Sequence, residues 1–94
     1  HILDQALFKK AKLYEKLQRY EEASSYYQQV IDEYPNSIVV DNSLFALANI
    51  QVSKLNKPQE AQEILEQLIF NHQDSIYFVE ARKTYRRLRG DQNL

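Results

Sequence analysis

The sequence predicts an all-α protein stacked from repeated helical hairpins, and three observations carry that prediction. The first is a repeat. Shifted by 38 residues, Lys16, Leu17, Glu22, Ala23, Gln29, Ile31, Ser37 and Ile38 fall on Lys54, Leu55, Glu60, Ala61, Gln67, Ile69, Ser75 and Ile76, eight identities in 23 aligned positions. A period of this size marks supersecondary units that bury a continuous core by stacking. The second is periodicity: apolar residues recur at spacings of three and four, as on a helix with one buried face. The third is composition. The 94 residues include one glycine and two prolines, too few for a turn-rich β fold, while Ala, Leu, Gln, Glu and Lys abound.

Each element can be placed in order. Asp4 is suited to cap a first helix in which Ala6, Leu7, Ala11, Tyr14 and Leu17 form the apolar stripe, with Phe8, Lys9, Lys12 and Lys16 facing outward. Gln18, Arg19 and Tyr20 make a turn. Glu21 and Glu22 open the second helix, where carboxylates suit the positive end of the dipole. Its inner face is Ala23, Tyr26 or Tyr27, Val30, Ile31 and Tyr34, and Pro35 ends it because proline cannot continue a helix. Ser37 is the expected N-cap of a third helix over 38–55. That helix is apolar almost all round, hence covered on several sides and central. Asn56, Lys57 and Pro58 turn into a fourth helix carrying Ala61, Ile64, Leu65, Leu68 and Ile69. The break at 72–75 repeats the earlier one, with Gln73 where Pro35 stood. A fifth helix over 76–89 buries Phe78, Ala81, Tyr85 and Leu88, and Gly90 suits the left-handed residue after a helix end. Asp91 to Leu94 are expected to fray.

The residues Leu7, Ala11 and Tyr14, then Ala23, Tyr27 and Pro35, fall on the large, small and aromatic positions of a 34-residue unit starting at Asp4. The chain thereby resembles the tetratricopeptide repeat family. The resemblance implies a right-handed α-solenoid of two hairpins plus a C-terminal capping helix, within one domain over 1–94. Its units are expected at about 4–37 and 38–75, its cap at 76–89 and its tail at 90–94. The second unit is looser. Leu44, Leu47 and Ala48 match at a shift of 37 whereas Leu55 and Ala61 match at 38, so one residue is inserted in its first helix. Lys10 and Gln73 replace an apolar residue and a proline. The stretch from Asp32 to Ala48 resembles the lengthened repeats of bacterial cell-envelope proteins, such as the periplasmic coordinator of the Tol–Pal system and the lipoprotein of the barrel-assembly machinery. The C-terminal stretch resembles the end of large repeat proteins of Bacteroidetes-type bacteria. These likenesses imply a periplasmic or envelope location and a C-terminal fragment of a larger array, with His1 a tag remnant; a cytoplasmic location stays open.

Chemistry is sparse. Cysteine is absent, which removes disulfides, thiolate metal sites and thiol nucleophiles. No apolar run reaches the length of a membrane-spanning helix. The two histidines have no periodic partner, and an exposed His72 in a break accounts for one of them. Ser43 has no nearby base, and the acidic pairs Glu21–Glu22 and Asp32–Glu33 point to different sides of a helix. His72 with Asp74 is too small a set for a metal. The expectation is therefore no catalytic residue, no metal and no cofactor. Residues 76–94 carry five Lys/Arg against two Asp/Glu, and residues 1–75 carry seven against eleven. A solvated capping helix accounts for the basic end, and the net charge of −1 argues against nucleic acid.

What remains is binding. The resemblance places the functional surface on the concave face lined by the first helix of each unit: Gln5, Phe8, Lys12, Asn42, Asn49, Ser53, Lys83 and Arg87. Chaperone-binding repeats hold a C-terminal carboxylate with a lysine and an asparagine. Phe8 and Lys12 stand at those positions here, so that recognition is not expected. The expected partner is another protein or peptide, bound as a helix in a groove or as an extended segment. The alternative is self-association through the N-terminal apolar surface of Ile2, Leu3, Leu7 and Phe8.

Overall fold

The computed structural model describes residues 2–90, so His1 and the tail at 91–94 lie outside the described residues. Five helices follow one another: α1 (Ile2–Lys16), α2 (Tyr20–Glu33), α3 (Val40–Ser53), α4 (Pro58–Asn71) and α5 (Phe78–Arg89). Each helix packs mainly on the next, α1 on α2, α2 on α3, α3 on α4 and α4 on α5. The result is an all-α solenoid measuring 43 × 28 × 18 Å. One core runs through it. Ala11, Ala23, Ala48, Ala61 and Ala81 are fully buried, and their small side chains let backbones approach, while Tyr27, Val30, Leu44, Leu47, Leu65 and Leu68 fill the space between. The central helix is α3, in which Val40, Ser43, Leu44, Leu47, Ala48, Ile50 and Gln51 are all buried.

The two hairpin turns share a backbone device. Gln18 and Asn56 both take positive φ, 61° and 53°, as residues that reverse the chain just after a helix. The inserted residue is located by the bonds that close these turns. Arg19 N–H donates to Tyr14 O at 2.9 Å, whereas Lys57 N–H reaches one residue further, to Gln51 O at 2.8 Å. Ile50 O meanwhile accepts from both Lys54 and Leu55. The insertion therefore sits in the turn after α3, residues 54–57 against 17–19, and not inside the first helix of the second unit.

The breaks between units are alike despite Pro35 and Gln73. Ser37 N–H donates to Tyr34 O and Ser75 N–H to His72 O, both at 3.0 Å. Ser37 Oγ accepts the Val39 N–H at 3.1 Å, and Ser75 Oγ accepts the Tyr77 N–H at 3.0 Å. These serines thus cap a turn ahead of the helix, so α3 and α5 begin two residues later than the sequence suggests. Asp4 likewise is not a cap. It lies buried in the first turn of α1 and accepts a hydrogen bond from Ser37, as Asp41 accepts one from Ser75 at 2.6 Å. In α5 the buried pair is Ala81 and Thr84, with Phe78, Tyr85 and Leu88 half-buried because α5 is covered on one side only. Gly90 ends that helix at φ 87°, its N–H donating to Arg86 O and Arg87 O.

Candidate functional site

Two first helices, α1 and α3, form the walls of an open cleft of about 680 Å³, within the usual size of a ligand-binding depression. Its floor is Leu13, Tyr20 and Ile50; its polar wall is Asn49 and Ser53, and Lys9, Lys12, Lys16 and Lys54 stand round it. Spacing explains the α1 side: residues 9, 12 and 16 lie three and four apart and share one helix face. On the α3 side the Ser53 hydroxyl donates to Asn49 O at 2.6 Å, which fixes its rotamer. The Lys54 ammonium sits 5.5 Å from the centre of the Tyr20 ring, a cation–π contact that keeps the charge beside the floor. Glu15 also borders the cleft, and its carboxylate accepts the Tyr27 hydroxyl at 2.7 Å. Burial and that carboxylate push the Tyr27 phenol far above its ordinary pKa, so it remains a donor throughout the physiological range.

Of the residues expected on the concave face, Lys12, Asn49 and Ser53 meet in this cleft. Gln5 lies at the other end of α1, beside Ile2, Ala6 and Lys9. Phe8 is half-buried rather than outward: its ring packs 5.9 Å from that of Tyr27, with the Lys12 ammonium 5.6 Å above it. Asn42 is engaged inside the fold, its Nδ2 donating to the Tyr77 hydroxyl at 3.0 Å beside a stacked Phe45–Tyr77 pair. Lys83 and Arg87 are exposed on α5, Lys83 pairing with Glu80 at 3.6 Å, and neither reaches the cleft. Sequence reasoning missed Lys9, Leu13, Lys16, Tyr20 and Lys54 as a group. The lysine spacing on α1 was visible, but Lys54 joins them only because the turn after α3 ends beside α1 and Tyr20.

Several other aromatics make contacts within the fold, whereas Phe70 is exposed. Tyr14 and Tyr26 stack at 5.4 Å, and the Tyr85 hydroxyl donates to Glu66 at 2.8 Å across α4 and α5. His72 is half-buried, not exposed, in a shallow depression with Asp41, Asp74 and Ser75. Among the described residues no three His, Cys, Asp or Glu side chains converge as metal ligands, and no helix is long and apolar enough to cross a membrane.

An α-solenoid of hairpins with an open cleft between successive first helices is a scaffold that presents surface rather than enclosing a substrate. The tetratricopeptide repeat model matches residues 5–37 and 42–75, and the chain belongs to that family. Such repeats generally mediate protein–protein interaction and scaffolding, and they are typically non-catalytic. A comparison with curated proteins gave no match.

Proposed function

We propose that this chain is a non-catalytic protein-interaction module that receives a peptide or helix of a partner in the α1/α3 cleft. One observation carries the reading: Lys12, Asn49 and Ser53, contributed by two units, border one open cleft with an apolar floor. Polar groups there can fix the register of a bound segment, while Leu13 offers it apolar contact. The likeness of the stretch from Asp32 to Ala48 to lengthened envelope repeats supports a bacterial cell-envelope setting. The test is selection of binders from a displayed library of random 12-residue peptides. Asn49 is exposed, so Asn49→Trp fills the cleft without disturbing the core. Selected peptides are expected to lose about tenfold or more in affinity for that variant, the loss of a central contact. Peptides that bind it as well as the parent chain would place the site elsewhere.

A second reading, self-association, is favoured by the outer face of α1. Leu3 is 54% exposed, whereas Val40, its counterpart 37 residues on, is 3% exposed in α3. Ile2 adds to that face, while Leu7 and Phe8 pack against the core and do not. Sedimentation equilibrium tests this reading.

A further inference from the structure

We infer that the α1/α3 cleft is built for an acidic segment of a partner protein that carries one large apolar side chain, a conclusion that rests on the cleft being the peptide site. Charge distribution is the first ground. Residues 1–75 hold seven Lys/Arg and eleven Asp/Glu, yet four of those seven cations and a single acid border this cleft. The basic side chains are thus concentrated on one concavity of an otherwise acidic stretch. Concentrated charge in a cleft raises the local potential and steers oppositely charged segments to it.

Geometry is the second ground. Lys9 to Lys16 spans seven residues of α1, about 10 Å at the helical rise, which matches two turns of a bound helix or three residues of extended chain. Between that row and Lys54 lies the apolar floor, with Leu13 more than half exposed. Acids flanking an apolar residue fit this pattern, the acids reaching the lysines and the apolar group covering Leu13. A polyanion such as nucleic acid fits it poorly. The Tyr20 ring is already covered by Lys54, so no free stacking platform is offered, and Glu21, Glu22, Glu60 and Glu63 lie on the neighbouring helices.

The experiment extends the library selection. Winners are expected to be enriched in Asp and Glu around a Leu, Phe or Ile. The double variant Lys12→Glu/Lys16→Glu is expected to weaken them about tenfold, with a steep loss as salt is raised. The double variant Arg86→Glu/Arg87→Glu, on α5 and outside the cleft, serves as the control of equal charge change, and circular dichroism melts verify that each variant folds. Neutral or basic winners that Asn49→Trp still rejects would overturn the acidic assignment and leave the cleft as the peptide site. Winners indifferent to Asn49→Trp would remove both. Tighter binding to an oligothymidylate or to phosphatidylglycerol vesicles than to any acidic peptide would also overturn the inference.

Discussion

Ser37 and Ser75 each do two jobs with one hydroxyl. The oxygen accepts a backbone N–H two residues ahead, and the proton goes to an aspartate in the first turn of the preceding first helix, Asp4 or Asp41. The clasp ties the end of each unit to its beginning. Hydrogen bonding from Ser37 holds the Asp4 carboxyl below its ordinary pKa, with burial opposing. A depressed carboxyl stabilises the fold above its unfolded-state pKa of about 3.9, and that contribution is lost as pH falls through the lower folded value. The melting-temperature gap between the parent chain and Ser37→Ala should therefore narrow below about pH 4. A gap that stays constant would show that the charged Asp4 is not the acceptor that matters. Ser75→Ala should cost about 1–3 kcal/mol at neutral pH, read from urea unfolding, because Asp41 loses a charge-assisted bond.

At the scale of elements, α3 has a defect worth removing. Gln51 is 8% exposed, and its side-chain oxygen has no hydrogen-bond partner. It stands 37 residues after Tyr14, where the first unit places an aromatic ring stacked on Tyr26. The wider turn that follows uses Gln51 for its backbone carbonyl, which accepts the Lys57 N–H, and not for its side chain. A buried amide oxygen without a partner costs its desolvation. Gln51→Leu should raise stability by about 1 kcal/mol, seen as a rise of about 4–8 °C in melting temperature. A fall would mean that the amide has a bonding role which the folded geometry does not reveal.

The whole molecule is a short stack in which each helix leans on its sequence neighbours. Stability in such a stack is a sum of unit and interface terms. On the outer face of α1, Leu3 is exposed where its counterpart in α3, Val40, is buried. Sedimentation equilibrium across a hundredfold concentration range is expected to show reversible association if that face pairs with a second copy, and Ile2→Glu/Leu3→Glu is expected to abolish it. A monomer at every concentration would remove self-association as a function. It would leave the cleft reading intact, since neither Ile2 nor Leu3 borders it.

The sequence by itself determined the five helices, the repeat and most of the core. Ala11, Ala23, Tyr27, Leu44, Leu47 and Ala61 could be assigned because helical periodicity and small-residue positions are local properties of the chain. Lys12, Asn49 and Ser53, which the tetratricopeptide resemblance put on the concave face, border the cleft. Tertiary structure alone decided the rest. It turned Phe8 onto Tyr27, committed Asn42 to Tyr77, buried Asp4 under Ser37 and moved the inserted residue into the turn after α3. It also brought Lys54 to the lysines of α1, some forty positions away in the chain. Periodicity fixes which face a residue shares with its own helix, but a contact between helices depends on how their ends are joined, and one extra residue in a turn is enough to change it.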